Sequence, residues 1–150
     1  MEFRHGGFWL RLVAAIIDGI ILQVGLFIVG LIVGIFVGIF MGVAGASTED
    51  IQWVSMSIGY GIGIIGQWLY FTIFEISGWQ ATPGKKVLSL KVTDMEGQQI
   101  GFGQANIRYW SKIISALILF IGFIMIAFTE KKQGLHDIFA KTLVIKDKPA

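Results

Sequence analysis

The chain contains no cysteine and only two histidines, His5 and His136, among its 150 residues. The lack of cysteine excludes disulfides, thiolate metal sites and cysteine nucleophiles. Two histidines do not supply a metal ligand set, so we expect no metal and no cofactor. The polar groups are also too few for a Ser/His/Asp arrangement. The sequence therefore predicts a protein that is not an enzyme.

Charged residues are scarce as well: they make up 15% of the chain, whereas 55% is hydrophobic. The mean hydropathy is +0.74, and a soluble domain rarely carries so few charges on so much apolar sequence. Uncharged windows cover residues 19–48, 51–74 and 113–129. The first two exceed the roughly 20 residues needed to cross a bilayer, and the third is marginal. These windows predict an integral membrane protein.

The predicted fold is an all-α membrane protein that forms one domain over residues 1–150. Apolar spans are expected at about 8–43, 51–77 and 111–129, with a loop at 84–108 and a tail at 130–150. Val87, Leu88, Leu90 and Val92 suit a strand, and TLVIKD near the C-terminus suits another. These two strands would form a small cytoplasmic pair.

The distribution of charge indicates the topology. Glu49 and Asp50 lie between the first two spans, whereas basic residues flank the other connections. The positive-inside rule therefore places the N-terminus, the loop and the lysine-rich tail in the cytoplasm. The tail can return only if the third segment is bent or re-entrant near Gly122, and a plain three-span topology is the alternative.

Three features of the sequence carry a resemblance. Arg11 and Asp18 begin the first span, TPGKKVLSLKVTDMEG follows the second, and GLHDIFAKTLVI lies near the end. Together they resemble the RDD family of small prokaryotic membrane proteins, named for one arginine and two aspartates. The resemblance implies a multi-pass protein of the plasma (inner) membrane. It identifies the second aspartate as Asp137, with Asp94 the weaker candidate, and it suggests sodium/proton exchange.

An intramembrane charge network is the main candidate site, and its predicted members are Arg11, Asp18, Glu75, Arg108, Lys112 and Asp137. Asp18 stands in an apolar run, where an ionised carboxylate must find a partner. We expect it to pair with Arg108 or Lys112, with Arg11 nearby, although an ion-transport site is the other interpretation. Glu75 is expected to form an interfacial ion pair with the same cations or the basic loop.

Glycine spacing predicts close helix packing. Small residues four apart let helix backbones approach each other in a membrane. The pattern covers two sets, which are Gly30, Gly34, Gly38 and Gly42, and then Gly59 with Gly63. Two interpretations stay open: the glycines pack the first two helices together, or they contact another chain.

A basic patch is predicted on the cytoplasmic side, formed by Lys85, Lys86, Lys91, Lys131 and Lys132. Such a patch favours anionic lipids by about 1 kcal/mol per charge. The net charge of +2 makes nucleic acid an improbable partner.

Two functions compete at this point. The first is a non-enzymatic membrane subunit that oligomerises or docks against other membrane protein chains through its glycine faces. The alternative is cation (sodium)/proton exchange centred on Asp18. Exchange normally needs several polar groups at mid-depth, so an oligomer would suit it better than a monomer.

Overall fold

The computed structural model describes residues 4–118 and 121–146. Eight elements follow one another along the chain: α1 (Phe8–Val43), α2 (Thr48–Ile76), α3 (Pro83–Val87), β1 (Leu90–Asp94), α4 (Phe102–Leu117), α5 (Ile121–Phe128), α6 (Leu135–Ala140) and β2 (Thr142–Lys146). The helical membrane fold, with a bent apolar helix pair and a two-stranded sheet, is as predicted. Residues 119–120 of the predicted third span and 147–150 of the predicted tail lie outside the described residues.

Helices α1 and α2 are each long and apolar enough to cross a membrane. α1 has 36 residues and begins and ends where the first span was predicted. α2 begins at Thr48, three residues earlier than predicted, because Ser47 caps it. The Ser47 hydroxyl accepts the Asp50 backbone N–H at 3.1 Å and donates to the Asp50 carboxylate at 2.6 Å, which satisfies an otherwise free helix-terminal donor.

The chain divides into two compact units, and the division falls within both long helices. One unit is residues 20–69, a helical hairpin whose turn contains Gly45 at φ +78°. None of its residues is buried within the chain. This hairpin therefore relies on its surroundings to cover its apolar side chains.

The other unit contains the described residues up to Gly19 and from Tyr70 onward. Its sheet pairs β1 with β2 in antiparallel register, with Val92 opposite Val144. The N-terminal segment joins this sheet, because the Gly6 N–H donates to the Val144 carbonyl at 2.8 Å and His5 forms a bridge to Ile145. The N-terminal segment, the loop and the start of the tail therefore meet in one sheet, and the bent helix pair is compatible with either a broken span or a re-entrant segment.

Helix α4 has its polar face inside and its apolar face outside. Arg108, Ser111 and Ser115 are buried, whereas Trp110 and Leu117 are at least half exposed. This is the reverse of a soluble amphipathic helix and fits an apolar environment around the unit.

The bend between α4 and α5 is 103°. It brings Gly122 against α4, where an added Cβ would lie 2.7 Å from the Ser115 Cβ. The bend therefore requires a glycine at this point.

Two local predictions were wrong. Val87 belongs to helix α3 rather than to a strand, because Pro83 at the first helical position favours a helix start. The strand begins only at Leu90. Helix α6 was not predicted, since six residues are too few to show an apolar period.

Candidate functional site

Asp18 of α1 is held by three donors from the segment that follows α2 and from the end of α2 itself. Its carboxylate accepts the Thr82 hydroxyl at 2.5 Å, the Gly84 backbone N–H at 2.7 Å and the Tyr70 hydroxyl at 2.9 Å. Only 1% of Asp18 is exposed. A buried carboxylate with three donors is well satisfied without a cation.

The local sequence Thr-Pro-Gly explains this arrangement. Thr82 precedes the helix and keeps the extended backbone that a residue before proline prefers. Pro83 starts α3, and Gly84 then lies directly against α1. A Cβ on Gly84 would lie 2.8 Å from the Asp18 carboxyl carbon, so only glycine allows this approach.

The predicted ion pair between Asp18 and Arg108 or Lys112 was therefore wrong. Among the described residues, no cation lies within ion-pair distance of Asp18, because the two other buried carboxylates hold the buried cations. Arg11 also contacts a different acid. Asp18 instead fixes the start of α3 against α1.

Asp137 of α6 is the centre of the ion-pair network. It forms a buried ion pair with Arg11 and accepts the Arg108 Nε–H at 2.9 Å. Its side chain also accepts the Gly134 N–H at 3.1 Å, which caps α6. The weaker candidate, Asp94, instead accepts two backbone N–H groups within the turn after β1.

Arg11 ties α1 to both ends of the unit. Besides the ion pair with Asp137, its Nε donates to the Gly6 carbonyl at 2.9 Å and its Nη2 donates to the Lys132 carbonyl at 2.6 Å. A guanidinium suits this position because its several donors point in fixed directions.

Glu75 near the end of α2 collects the remaining cations. Its carboxylate lies 2.5 Å from Lys85 Nζ, 3.1 Å from Arg108 Nη1 and 3.8 Å from Lys112 Nζ. Lys112 also stands 4.4 Å from the centre of the Phe71 ring. Arg108 thus contacts both Glu75 and Asp137 and joins the two parts of the network.

Burial and neighbouring charges shift three pKa values outside the long helices. Burial alone would raise the pKa of Asp137, but the Arg108 and Arg11 guanidinium groups hold it well below its usual range. Burial lowers the pKa of Lys85 to about 7, although Glu75 opposes this effect. Burial lowers the pKa of His136 to about 3, with Asp137 opposing and Arg108 adding to the shift. His136 is therefore neutral at physiological pH.

A cavity of about 480 Å³ borders this network. Its charged lining consists of Arg11, Asp18, Lys85, Arg108 and Lys112. Aromatic and aliphatic side chains of α1, α2 and α5 form the other walls. Four cations and one carboxylate therefore border the cavity, while Glu75 and Asp137 do not line it.

At the predicted glycine positions, an added side chain would point into open space within the described part of the chain. For Gly30, Gly34, Gly38, Gly42, Gly59 and Gly63, an added Cβ would meet no atom of the described residues within 4 Å. Packing of the first two helices through these glycines is thus not what the structure shows. The hairpin has a contact at Gly66 instead, where a Cβ would lie 2.8 Å from a Leu26 methyl group.

The predicted basic patch is only partly a surface feature. Lys86 and Lys131 are exposed, and Lys91 and Lys132 are half-buried. Lys85 is buried and paired with Glu75, so its place in a surface patch was wrong. The reason is that Lys85 lies in α3, which packs against the end of α2.

Sequence reasoning missed Tyr70 and Thr82 as partners of Asp18. Thr82 lies in the TPGKK segment, and that segment could have been connected with Asp18. A carboxylate in an apolar helix needs donors, and a Thr-Pro-Gly turn supplies a hydroxyl and a free helix-terminal N–H. Tyr70 gave no comparable signal.

Within the described residues, no group of three or more His, Asp or Glu side chains could hold a metal ion. The apolar helices and the ion-pair network define an integral membrane protein. The RDD family model matches residues 5–141, so the chain belongs to the RDD family.

Relatives with curated sequences agree with this assignment. The chain is 41% identical to "Uncharacterized protein YxaI" of Bacillus subtilis, over 95% of this chain and 97% of that protein. It is 26% identical to "Uncharacterized protein YckC" of the same organism, over 95% of this chain and 85% of that protein. It is 31% identical to "Proline-rich antigen homolog" of Mycobacterium tuberculosis, over 69% of this chain and 48% of that protein. No solved structure matches the chain significantly.

Proposed function

We propose that this chain is a non-enzymatic membrane subunit that assembles with further copies of itself through the glycine face of α1. That face is Gly30, Gly34, Gly38 and Gly42. The observation that carries the proposal is that a Cβ added at any of these four glycines would meet no packed neighbour within 4 Å among the described residues. A surface built for close backbone approach is thus left open to a second chain.

The hairpin around these glycines supports self-assembly. None of residues 20–69 is buried, and close approaches between the backbones of α1 and α2 are few. Lipid tails are as apolar as these side chains, so helices associate in a bilayer by packing rather than by the hydrophobic effect. A second copy of α1 provides the packing that α2 does not.

The state of the three carboxylates supports a structural rather than a transport role for the network. Asp18 has three hydrogen-bond donors, and both Asp137 and Glu75 are paired with cations. A sodium ion binds through free carboxylate or carbonyl oxygens, and here the carboxylates already have donors. The three buried cations, Arg11, Lys85 and Arg108, already balance the three carboxylates, and the half-buried Lys112 adds a further positive charge, which disfavours binding of another cation.

Glycine-to-leucine variants test the assembly. Gly34→Leu with Gly38→Leu places bulk on the proposed contact face. Gly25→Leu is the matched control, since nine residues turn the helix by about half a revolution from Gly34 at 3.6 residues per turn and an added Cβ there also meets open space. Native mass spectrometry of the detergent-solubilised protein reports the oligomeric state.

The expected result is an oligomer for the natural chain and for Gly25→Leu, but a monomer for the double variant. A monomeric natural chain would contradict the proposal, and so would an oligomer that survives both leucines. Any stoichiometric co-purifying chain in place of a second copy would indicate docking against a different protein.

A further inference from the structure

The cavity beside the ion-pair network has an unusual distribution of charge. Its lining includes four basic side chains but only the Asp18 carboxylate, and that carboxylate is turned to the Thr82 hydroxyl and the Gly84 N–H. The acids that balance the basic residues, Glu75 and Asp137, lie outside the lining. The charged side chains that line the cavity are therefore mostly basic, although Glu75 and Asp137 pair with them from behind.

Two donors beside the cavity have incomplete hydrogen bonding. Arg108 Nη1 is ion-paired with Glu75 Oε2 at 3.1 Å but is not well aligned for a hydrogen bond to it. Among the described residues, the half-buried Lys112 Nζ has a distant carboxylate, at 3.8 Å, and the face of the Phe71 ring. Charge-assisted hydrogen bonds to an anion with several oxygen atoms would complete both groups.

The other walls are apolar and reach the outside of the unit. Phe8, Leu12, Phe71, Phe123 and Ile124 line the cavity. Leu12 is 39% exposed and Ile124 is 47% exposed, so the cavity opens onto the apolar exterior. An inorganic anion would gain nothing from these walls, whereas an acyl chain would be buried against them.

We infer that this cavity binds one anionic phospholipid, with the headgroup phosphate at Arg108 and Lys112 and part of an acyl chain between α1 and α5. The volume of about 480 Å³ lies within the roughly 300–1,000 Å³ of ligand sites. Arginine and lysine are the usual partners of phosphate. This site is separate from the glycine face and does not depend on assembly.

Lipid binding by single variants in a neutral detergent tests the inference. Such a detergent has no surface potential, so exposed lysines contribute little to binding. Phosphatidylglycerol and phosphatidylcholine with identical acyl chains are titrated and followed by native mass spectrometry. We expect phosphatidylglycerol to bind at least about tenfold more tightly than phosphatidylcholine, a difference of about 1.4 kcal/mol. We also expect that inorganic phosphate, at about tenfold excess over the lipid and on the order of millimolar, does not displace it.

Three variants locate the site. Lys112→Gln removes one phosphate partner and should weaken phosphatidylglycerol binding about tenfold. Leu12→Trp fills the cavity without removing a charge, at a position exposed enough to accept a larger side chain, and should weaken it at least as much. Lys131→Gln removes an exposed lysine by the same chemical change and should alter binding less than about twofold.

Equal affinity for the two lipids would overturn the inference. The inference would also be overturned if Lys112→Gln and Lys131→Gln weakened phosphatidylglycerol binding equally and Leu12→Trp did not change it. The lipid would then bind to the protein surface rather than in the cavity. Displacement by inorganic phosphate would show a small-anion site rather than a lipid site. If Lys112→Gln does not fold, the inference is tested by Leu12→Trp alone. Its melting temperature is measured together with its lipid binding, so that a loss of binding can be separated from a loss of folding.

Discussion

The Gly84 backbone N–H donates to the Asp18 carboxylate at 2.7 Å, across 66 residues of sequence. The contact fixes the first turn of α3 against the end of the N-terminal third of α1. Asp18 thus acts as the anionic partner of a helix start, a position where a carboxylate is favoured. This explains why an acid stands in an otherwise apolar helix.

Replacing Gly84 by alanine should destabilise the protein. The new Cβ would lie 2.8 Å from the Asp18 carboxyl carbon and also against the α1 backbone, and such overpacking costs about 1–3 kcal/mol or more. Gly103→Ala is the control, because its Cβ meets open space within α4. Thermal unfolding in detergent measures both, and equal melting temperatures for the two variants would contradict the close approach.

Asp137→Asn should lower stability more than any other single change of a carboxylate. It leaves the buried Arg11 and Arg108 guanidinium groups without their shared anion, and breaking a buried pair costs about 3–5 kcal/mol. Asp94→Asn is the matched control, because an asparagine oxygen can still accept the turn N–H groups and the cost should stay below about 1 kcal/mol. Equal losses in the two variants would show that the network is not the stabilising feature.

The low pKa of His136, about 3, predicts acid sensitivity. Between the usual histidine pKa of about 6.5 and this value, the unfolded chain binds a proton that the folded chain does not, so stability falls as pH falls. From pH 7 to pH 5 the loss should be about 2 kcal/mol at 1.36 kcal/mol per pH unit. His136→Gln should flatten this dependence in unfolding measurements at pH 7, 6 and 5. An unchanged acid loss in that variant would assign the effect to other groups.

Membrane sidedness can be tested because the chain has no cysteine. Single cysteines at Lys86, in the loop, and Lys141, between α6 and β2, should behave alike towards an impermeant reagent in intact cells, since β1 and β2 pair. Both should be protected, and a cysteine at Ser47 should be labelled. If Lys141→Cys were labelled and Lys86→Cys were not, the pairing of β1 with β2 would be contradicted. If both were labelled and Ser47→Cys were not, the protein would have the opposite orientation in the membrane.

The long helices and the bent third segment could be predicted because lipid imposes simple rules on sequence. A length of uncharged residues predicts a span, and the lysines of the tail required the chain to return to the side of the loop. Helix α3 could not be predicted in this way. Its five residues depend on Pro83 and on the Asp18 carboxylate, which comes from a distant part of the chain.

The members of the charge network were predictable, but their pairing was not. Arg11, Glu75 and Arg108 were recognisable as charges that need partners near apolar segments, and the family resemblance implied Asp137. Which acid meets which cation depends on the packing of α6 against α4 and on the reach of the Arg11 side chain. That packing brings Asp137 to both guanidinium groups and leaves Asp18 to hydroxyl and backbone donors.

The most direct measurement compares stability and ion flux for Asp18→Asn. An asparagine oxygen can still accept the Gly84 N–H and the Tyr70 hydroxyl, but it lacks the charge that strengthens these bonds, and its NH2 group replaces the oxygen that accepts the Thr82 hydroxyl. The melting temperature should therefore fall by an amount that reflects about 1–2 kcal/mol. Charge reversal at Arg108 should not restore it, since no cation is left unpaired by the change. In vesicles the natural chain should show no sodium-dependent proton flux. A stable Asp18→Asn protein that has lost a flux present in the natural chain would contradict the structural role assigned to this network.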